Sequence, residues 1–203
     1  MRRNSYKCTS DTKEKLLSAT IKLVKEKGVK NTTIRDICKN SGVSNGAFYH
    51  YYNSKEELLK DTYYQIDKLV TPDFIKSCND MEIMHGLYEI LKIYVLFIVN
   101  EAGILVKEYH KVLLDGVNIS VFDPKRPYYQ AIKEQLNRCI DEGVISSGYT
   151  LEYLTNYCIR FLRGLIFDWG IHNGDYNLLE QFEMDFKTIM AGVLRSEEHT
   201  SEL

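Results

Sequence analysis

The chain has 203 residues, with 26 Lys+Arg against 28 Asp+Glu, a formal balance of −2. Apolar content of 44% and charged content of 27% suit a globular fold and exclude a disordered chain, a collagen or a coiled-coil rod. Three prolines are few, which favours long helices over a loop-rich β sandwich, and the length suits one or two domains with a real core. The five cysteines, Cys8, Cys38, Cys78, Cys139 and Cys158, form no CxxC pair and read as reduced thiols of a cytoplasmic protein. The basic N-terminus runs into polar residues and not into an apolar signal core, so export is not expected.

The first helical pattern spans residues 11–27. Leu16, Leu17, Ala19, Leu23 and Val24 recur at helical spacing, Asp11 and Glu14 are placed as a capping box, and Gly28 follows as a left-handed C-cap. A second helix, 33–40, is capped by Thr33 with Asp36 in the box position; it buries Ile34, Ile37 and Cys38 and stops at Asn40-Ser41-Gly42. A third, 44–51, begins at Ser44, with Val43 and Phe48 spaced as a hydrophobic staple. Ser54-Lys55-Glu56-Glu57 is a further S-x-x-E start, leading through Leu58, Leu59, Thr62, Ile66, Leu69 and Val70 to residue 71. Beyond Pro72 five more helices are expected, over 81–101, 105–114, 127–142, 151–173 and 178–194. The most apolar stretch, 87–99, carries Glu89 and Lys92 and is too short to span a bilayer; a buried helix is expected and no membrane partner. No segment alternates with period two, so the fold class is all-α.

The second and third helices are joined by a short turn through Gly42, the spacing of a helix-turn-helix. The staple commits Val43, Ala47, Phe48 and Tyr51 to the core and leaves Asn45, Gly46, Tyr49 and His50 facing out. Two polar aromatic side chains beside a glycine make a surface that can approach a duplex closely and bond phosphate or base edges. Charge supports this polarity. Residues 1–60 hold thirteen Lys+Arg against six Asp+Glu, a surplus of +7, and residues 61–203 carry −9. Lys55 adds a cation at a helix N-terminus whose amides already favour phosphate.

The run Thr33-Ile-Arg-Asp-Ile-Cys-Lys-Asn-Ser-Gly-Val-Ser-Asn-Gly-Ala-Phe-Tyr-His-Tyr-Tyr-Asn-Ser-Lys-Glu-Glu-Leu-Leu59 resembles the signature of the TetR/AcrR family of bacterial transcriptional regulators, over about the first sixty-five residues. Cys38 and Tyr52 stand where that family more often has alanine and phenylalanine. The resemblance implies an all-helical homodimer whose C-terminal domain binds a small molecule and thereby releases double-stranded operator DNA. By position, Thr33, Ser44, Tyr49, His50 and Lys55 would touch the DNA backbone, and Asn45, Gly46 and Ala47 would lie nearest the bases. The expected organisation is a helix-turn-helix DNA-binding domain over 1–52, a linking helix over 54–71, and an effector-binding and dimerisation domain over 72–194 formed by a helical bundle.

In the last helix Leu179, Phe182, Phe186, Ile189 and Val193 form a heptad-like seam, and the helix before it offers Leu165 and Trp169 beside Gly164. Together they could form a self-complementary four-helix interface, as the resemblance also implies. Aromatic and polar residues of the C-terminal part, Tyr94, Phe97, Tyr109, His110, Tyr128, Tyr157 and Phe161, are candidates to line the effector site, with ordinary core as the alternative for each.

Asp168 and His172 lie four apart on one helix and Glu108 precedes His110 by two, but no HExxH, P-loop or GxSxG is present. No cofactor, metal or enzymatic activity is therefore expected; the competing readings are an activator, a DNA-independent adaptor, or a helical enzyme or metal protein. Residues 195–203, Arg-Ser-Glu-Glu-His-Thr-Ser-Glu-Leu, break the apolar seam abruptly and match the in-frame translation of a common sequencing-library adapter. They are expected to be foreign to the protein, with the native sequence continuing differently after about Leu194.

Overall fold

The computed structural model describes residues 5–103, 105–114, 123–145 and 148–194; the expected adapter tail lies outside them. Ten α-helices and no strand occur among the described residues, as the pattern predicts. They are α1 (Ser5–Asn31), α2 (Ile34–Ser41), α3 (Asn45–Tyr51), α4 (Lys55–Tyr63), α5 (Pro72–Asn79), α6 (Ile83–Phe97), α7 (Leu105–Leu114), α8 (Pro127–Asp141), α9 (Leu151–Ile171) and α10 (Leu178–Leu194). They fall into two compact units, one from the described residues within 1–65 and 101–119, the other from those within 66–100 and 120–203.

In the first unit α1 packs on α2, α4 and α7. The core joins Leu16, Leu17, Ala19 and Leu23 of α1 to Ile37 and Cys38 of α2, Phe48 of α3, Tyr52 and Leu58. Asp11 is not a cap. The helix already runs from Ser5, and the Asp11 carboxylate pairs with Lys15 one turn on, at 2.7 Å. At the other end the break falls at Gly28, where φ 78 and ψ 161 are open to glycine and costly for any other residue.

The second unit is built on α6, which packs against α5, α8, α9 and α10. With its π-turn, Ile98–Ala102, the apolar element is longer than the sequence suggested: Ile83–Glu101 is apolar and long enough to cross a membrane by length and composition. Half of it is buried, and Leu87, Leu91 and Val95 are fully enclosed, which accounts for its apolarity.

The linking helix expected over 54–71 stops as an α-helix at Tyr63 and tightens to a 3-10 helix over Tyr64–Leu69. The segment after it, outside the helices expected from the pattern, folds as α5. Thr71 caps the Phe74 amide at 3.1 Å and Pro72 takes the first turn, where its missing N–H costs nothing. Cys38, Cys78, Cys139 and Cys158 are buried and carry no disulfide; burial pushes the Cys139 thiol up to about 11 and Cys158 to about 12, so both stay protonated.

Candidate nucleic-acid interface

The turn between α2 and α3 is built by local hydrogen bonds. Thr33 forms the full capping box: its hydroxyl accepts from the Asp36 amide at 3.1 Å, and the Asp36 carboxylate accepts from the Thr33 amide at 3.1 Å and its hydroxyl at 2.7 Å. Lys27 of α1 reaches the same carboxylate at 2.8 Å. The Lys27 ammonium foremost, then the Thr33 donors, hold the Asp36 carboxyl well below the ordinary range. At the far end Gly42 adopts φ 71, ψ 17, and Ser44 accepts from the Ala47 amide at 3.1 Å to start α3.

This fixes which face of α3 points out. Phe48 is fully buried and Val43 and Tyr51 pack against the same core, so the staple forms as expected. Asn45, Gly46, Tyr49 and His50 are exposed, Tyr49 at 56%, and Ala47 is half-buried. Tyr49 is held edge-on against Phe48, with ring centroids 5.3 Å apart. A Cβ added to Gly46 would meet nothing within 4 Å. A helical glycine costs about 1 kcal/mol against alanine, and nothing inside the protein requires this one.

Tyr52 closes the unit from below. It is 2% exposed and donates its hydroxyl to Asp61 at 2.9 Å, with Lys13 over its ring; burial first and Asp61 second push the phenol up. A phenylalanine at this position could not make that bond. Lys55 is half-buried and donates to the carbonyls of Val29 at 2.8 Å and Thr32 at 3.1 Å. Its cation braces the end of α1 as well as standing at the start of α4. Thr33 is exposed, but its hydroxyl is engaged with Asp36 on both its donor and acceptor sides.

Two cations were not singled out by sequence. Arg35 and Lys39 are exposed on α2 and make no ion pair among the described residues. Their four-residue spacing, on the face away from Ile37 and Cys38, carried the signal.

The expected effector residues do not gather. Tyr94, Phe97 and Tyr128 are core, at 5%, 4% and 6% exposure, with Tyr94 and Tyr128 rings 5.6 Å apart. Phe161 is half-buried on the Phe182 ring at 6.2 Å, and Tyr157 stacks on Tyr153 at 6.5 Å. His110 and Tyr109 belong to α7, in the other unit, and the Tyr109 side chain lies outside the described residues.

The expected pairing seam is corrected in part. Phe182 and Phe186 are buried in their own unit, stacked on and edge-on to Tyr88 at 5.4 and 5.3 Å, and Leu165 is buried too. Trp169 closes the end of α9, donating to the Tyr176 carbonyl at 3.0 Å over Gly174. Leu179 and Ile189 are half-buried, and the Val193 side chain lies outside the described residues. Exposed apolar side chains of these two helices include Phe167 and Ile171 of α9 and Met184 of α10. Asp168, in the last turn of α9, accepts from Tyr176 and contacts His172, the C-cap of that helix; among the described residues no group of three or more His, Cys, Asp or Glu could hold a metal.

The family model for bacterial regulatory proteins of the tetR family matches residues 16–62, from the first core leucine of α1 to the end of α4. The helix-turn-helix segment, residues 16–62, is of the tetR family of bacterial regulatory proteins. Among the chain's relatives is YvdT of Bacillus subtilis (strain 168), an HTH-type transcriptional regulator 28% identical over 167 residues, which cover 77% of this chain and 81% of that one. The probable acrEF/envCD operon repressor of Escherichia coli (strain K12) is 23% identical over 183 residues, 84% of this chain and 81% of its own length. The chain also shares its fold with the repressor FadR of Thermus thermophilus, solved in complex with lauroyl-CoA. The TM-score is 0.68 at 20% identity, over 90% of this chain and 95% of that one.

Proposed function

We propose that this regulator docks the outer face of α3 in the major groove, with Asn45, Gly46 and Ala47 at the base edges. Thr33, Ser44, Tyr49 and His50 meet phosphates through their remaining hydrogen-bonding capacity, and Arg35 and Lys39 add exposed charge on α2. Lys55 acts first as a brace and second as a phosphate contact. The observation that carries the reading is Gly46: an exposed helical glycine with open space above it, flanked by Asn45, Tyr49 and His50, leaves room for a partner's backbone or bases.

Two copies pair through α9 and α10, using Phe167, Ile171 and Met184 beside Gly164, where an added Cβ would also meet nothing within 4 Å. Two-fold pairing sets the recognition helices about 34–36 Å apart and asks for a palindromic operator. The regulator is a cytoplasmic repressor released by a small molecule held in the C-terminal helices. The name of the E. coli relative and the lauroyl-CoA complex of the T. thermophilus repressor support that sign and that kind of trigger. Release is a population shift toward a dimer whose helix spacing no longer fits.

Selection of bound duplexes from a random pool tests the reading. Enrichment of an inverted repeat with half-sites one helical turn apart, or a multiple of it, is the expected result; recovery of unenriched sequence would contradict it.

A further inference from the structure

Helices α5 and α8 both pack on α6, and a groove is left between them. Gly86 of α6 makes the junction tight: a Cβ there would stand 2.6 Å from the Cys78 carbonyl oxygen and 2.7 Å from Nε2 of Gln135. One cavity of about 430 Å³ is lined by Ile75, Ile90, Leu151, Lys133 and Arg138 among others, and one of about 420 Å³ by Val70, Pro72, Lys76 and Pro127. Both include Ile75, Asn79, Gln130, Ala131 and Glu134, so they are two halves of one groove within the second unit. Its size falls in the range of small-molecule sites, and none of the seven effector residues expected from sequence lines it.

One wall presents an oriented guanidinium. Gln135 is 1% exposed and donates to the Ile83 carbonyl at 2.7 Å, which fixes its amide so that Oε1 accepts from Nη1 of Arg138 at 3.0 Å. Arg138 also donates to Oδ1 of Asn79 at 2.6 Å and to the Asn79 carbonyl at 3.3 Å. Three of its five N–H groups are engaged, and two remain for an incoming oxygen. Glu134 stands one turn before Arg138, the ordinary spacing for a helical ion pair, yet the guanidinium turns to Asn79 instead. Among the described residues Lys76, Lys133 and Glu134 make no ion pair, so the groove carries three cations against one anion.

From this geometry we infer that the α5–α8 groove binds a small amphipathic carboxylate, its head on Arg138 and Lys133 and its apolar body along Ile75, Ala131 and Pro72. The charge excess selects an anion, the fork of the guanidinium suits two carboxylate oxygens, and the aliphatic wall takes a hydrocarbon body. Glu134 opposes the anion and limits affinity. That this is also the effector site rests on the release mechanism proposed above; binding itself is measured without DNA, so the two can fail separately.

The test is calorimetric titration of the full chain with decanoate and 4-phenylbutyrate, against decanol as the neutral match. The carboxylates bind at least about tenfold more tightly than decanol, and Arg138→Gln removes roughly tenfold or more of that affinity, the scale of one charge-assisted hydrogen bond. Glu134→Gln, which breaks no hydrogen bond in the fold, tightens carboxylate binding several-fold and leaves decanol unchanged. Failure of both carboxylates to bind at low millimolar concentration would overturn the inference, as would affinities that Glu134→Gln lowers or leaves alone. Carboxylate binding that leaves operator affinity intact would keep the site and remove only its role as the effector site.

Discussion

The Lys55 ammonium donates to the Val29 carbonyl at 2.8 Å, tying the start of α4 to the end of α1 just past the break at Gly28. A cation that position alone would assign to DNA thus has a partner inside the fold. Lys55→Gln is expected to lower stability by about 1–2 kcal/mol, the worth of a charged hydrogen bond partly replaced by water. It should also weaken binding to every duplex while reducing the salt slope by at most about one. Urea unfolding and binding at several salt concentrations measure the two effects; an unchanged unfolding midpoint would show that the brace contributes nothing.

Gly46 separates folding from function in the opposite sense. With open space above it, Gly46→Ala should stabilise the first unit by up to about 1 kcal/mol, while operator affinity falls by roughly tenfold, about 1.4 kcal/mol. Thermal unfolding and duplex binding give the two numbers. A variant that is more stable and binds as well as the parent would show that the duplex does not approach this face closely.

Much of this unit was legible in the sequence because its signals are local. Thr33 and Asp36, Val43 and Phe48, and Ser44 each act within a few residues, and each forms as the spacing predicts. At Ser54 the start is right but Glu57 bonds the amide and side chain of Asn53, not the cap amide, because Asn53 offers two donors at once. The misses are of another kind. Phe182 and Trp169 lie on the stripe that pattern selects, but periodicity gives a face and not its neighbour; Tyr88, Phe161 and Gly174 decide that these side chains turn inward. The groove was invisible for the same reason, since Asn79 of α5 lies 59 residues from the Arg138 of α8 that it binds.

The pairing proposed through α9 and α10 sets a contrast between exposed and buried apolar residues. Ile171→Glu and Met184→Glu, at 59% and 64% exposure, should leave protomer stability within about 0.5 kcal/mol yet shift the protein to monomer and lower operator affinity. Phe182→Ala should instead cost about 3–5 kcal/mol through the cavity it leaves. Sedimentation beside urea unfolding distinguishes the two; a Met184→Glu, Ile171→Glu double variant that stays dimeric would move the interface elsewhere.

Acid should probe the Asp36 box. Its carboxyl is depressed in the folded chain by Lys27 and Thr33, so its contribution is fully present above the ordinary carboxyl value of about 3.9 and is lost as pH falls below it. Wild type should therefore exceed Asp36→Asn in stability at neutral pH, with the gap closing as pH falls through about 4 and lower. Unfolding midpoints across that range check it; a gap independent of pH would mean that the charge is not what matters.

Docking by the outer face of α3 is tested most directly by the affinity of Tyr49→Ala for a duplex recovered by selection. Tyr49 is 56% exposed, so the variant should fold as the parent does. The account predicts a loss of roughly tenfold or more in operator affinity, about 1.4 kcal/mol per factor of ten, at unchanged unfolding midpoint. Parental affinity at moderate salt for Tyr49→Ala, and likewise for Asn45→Ala, would contradict it.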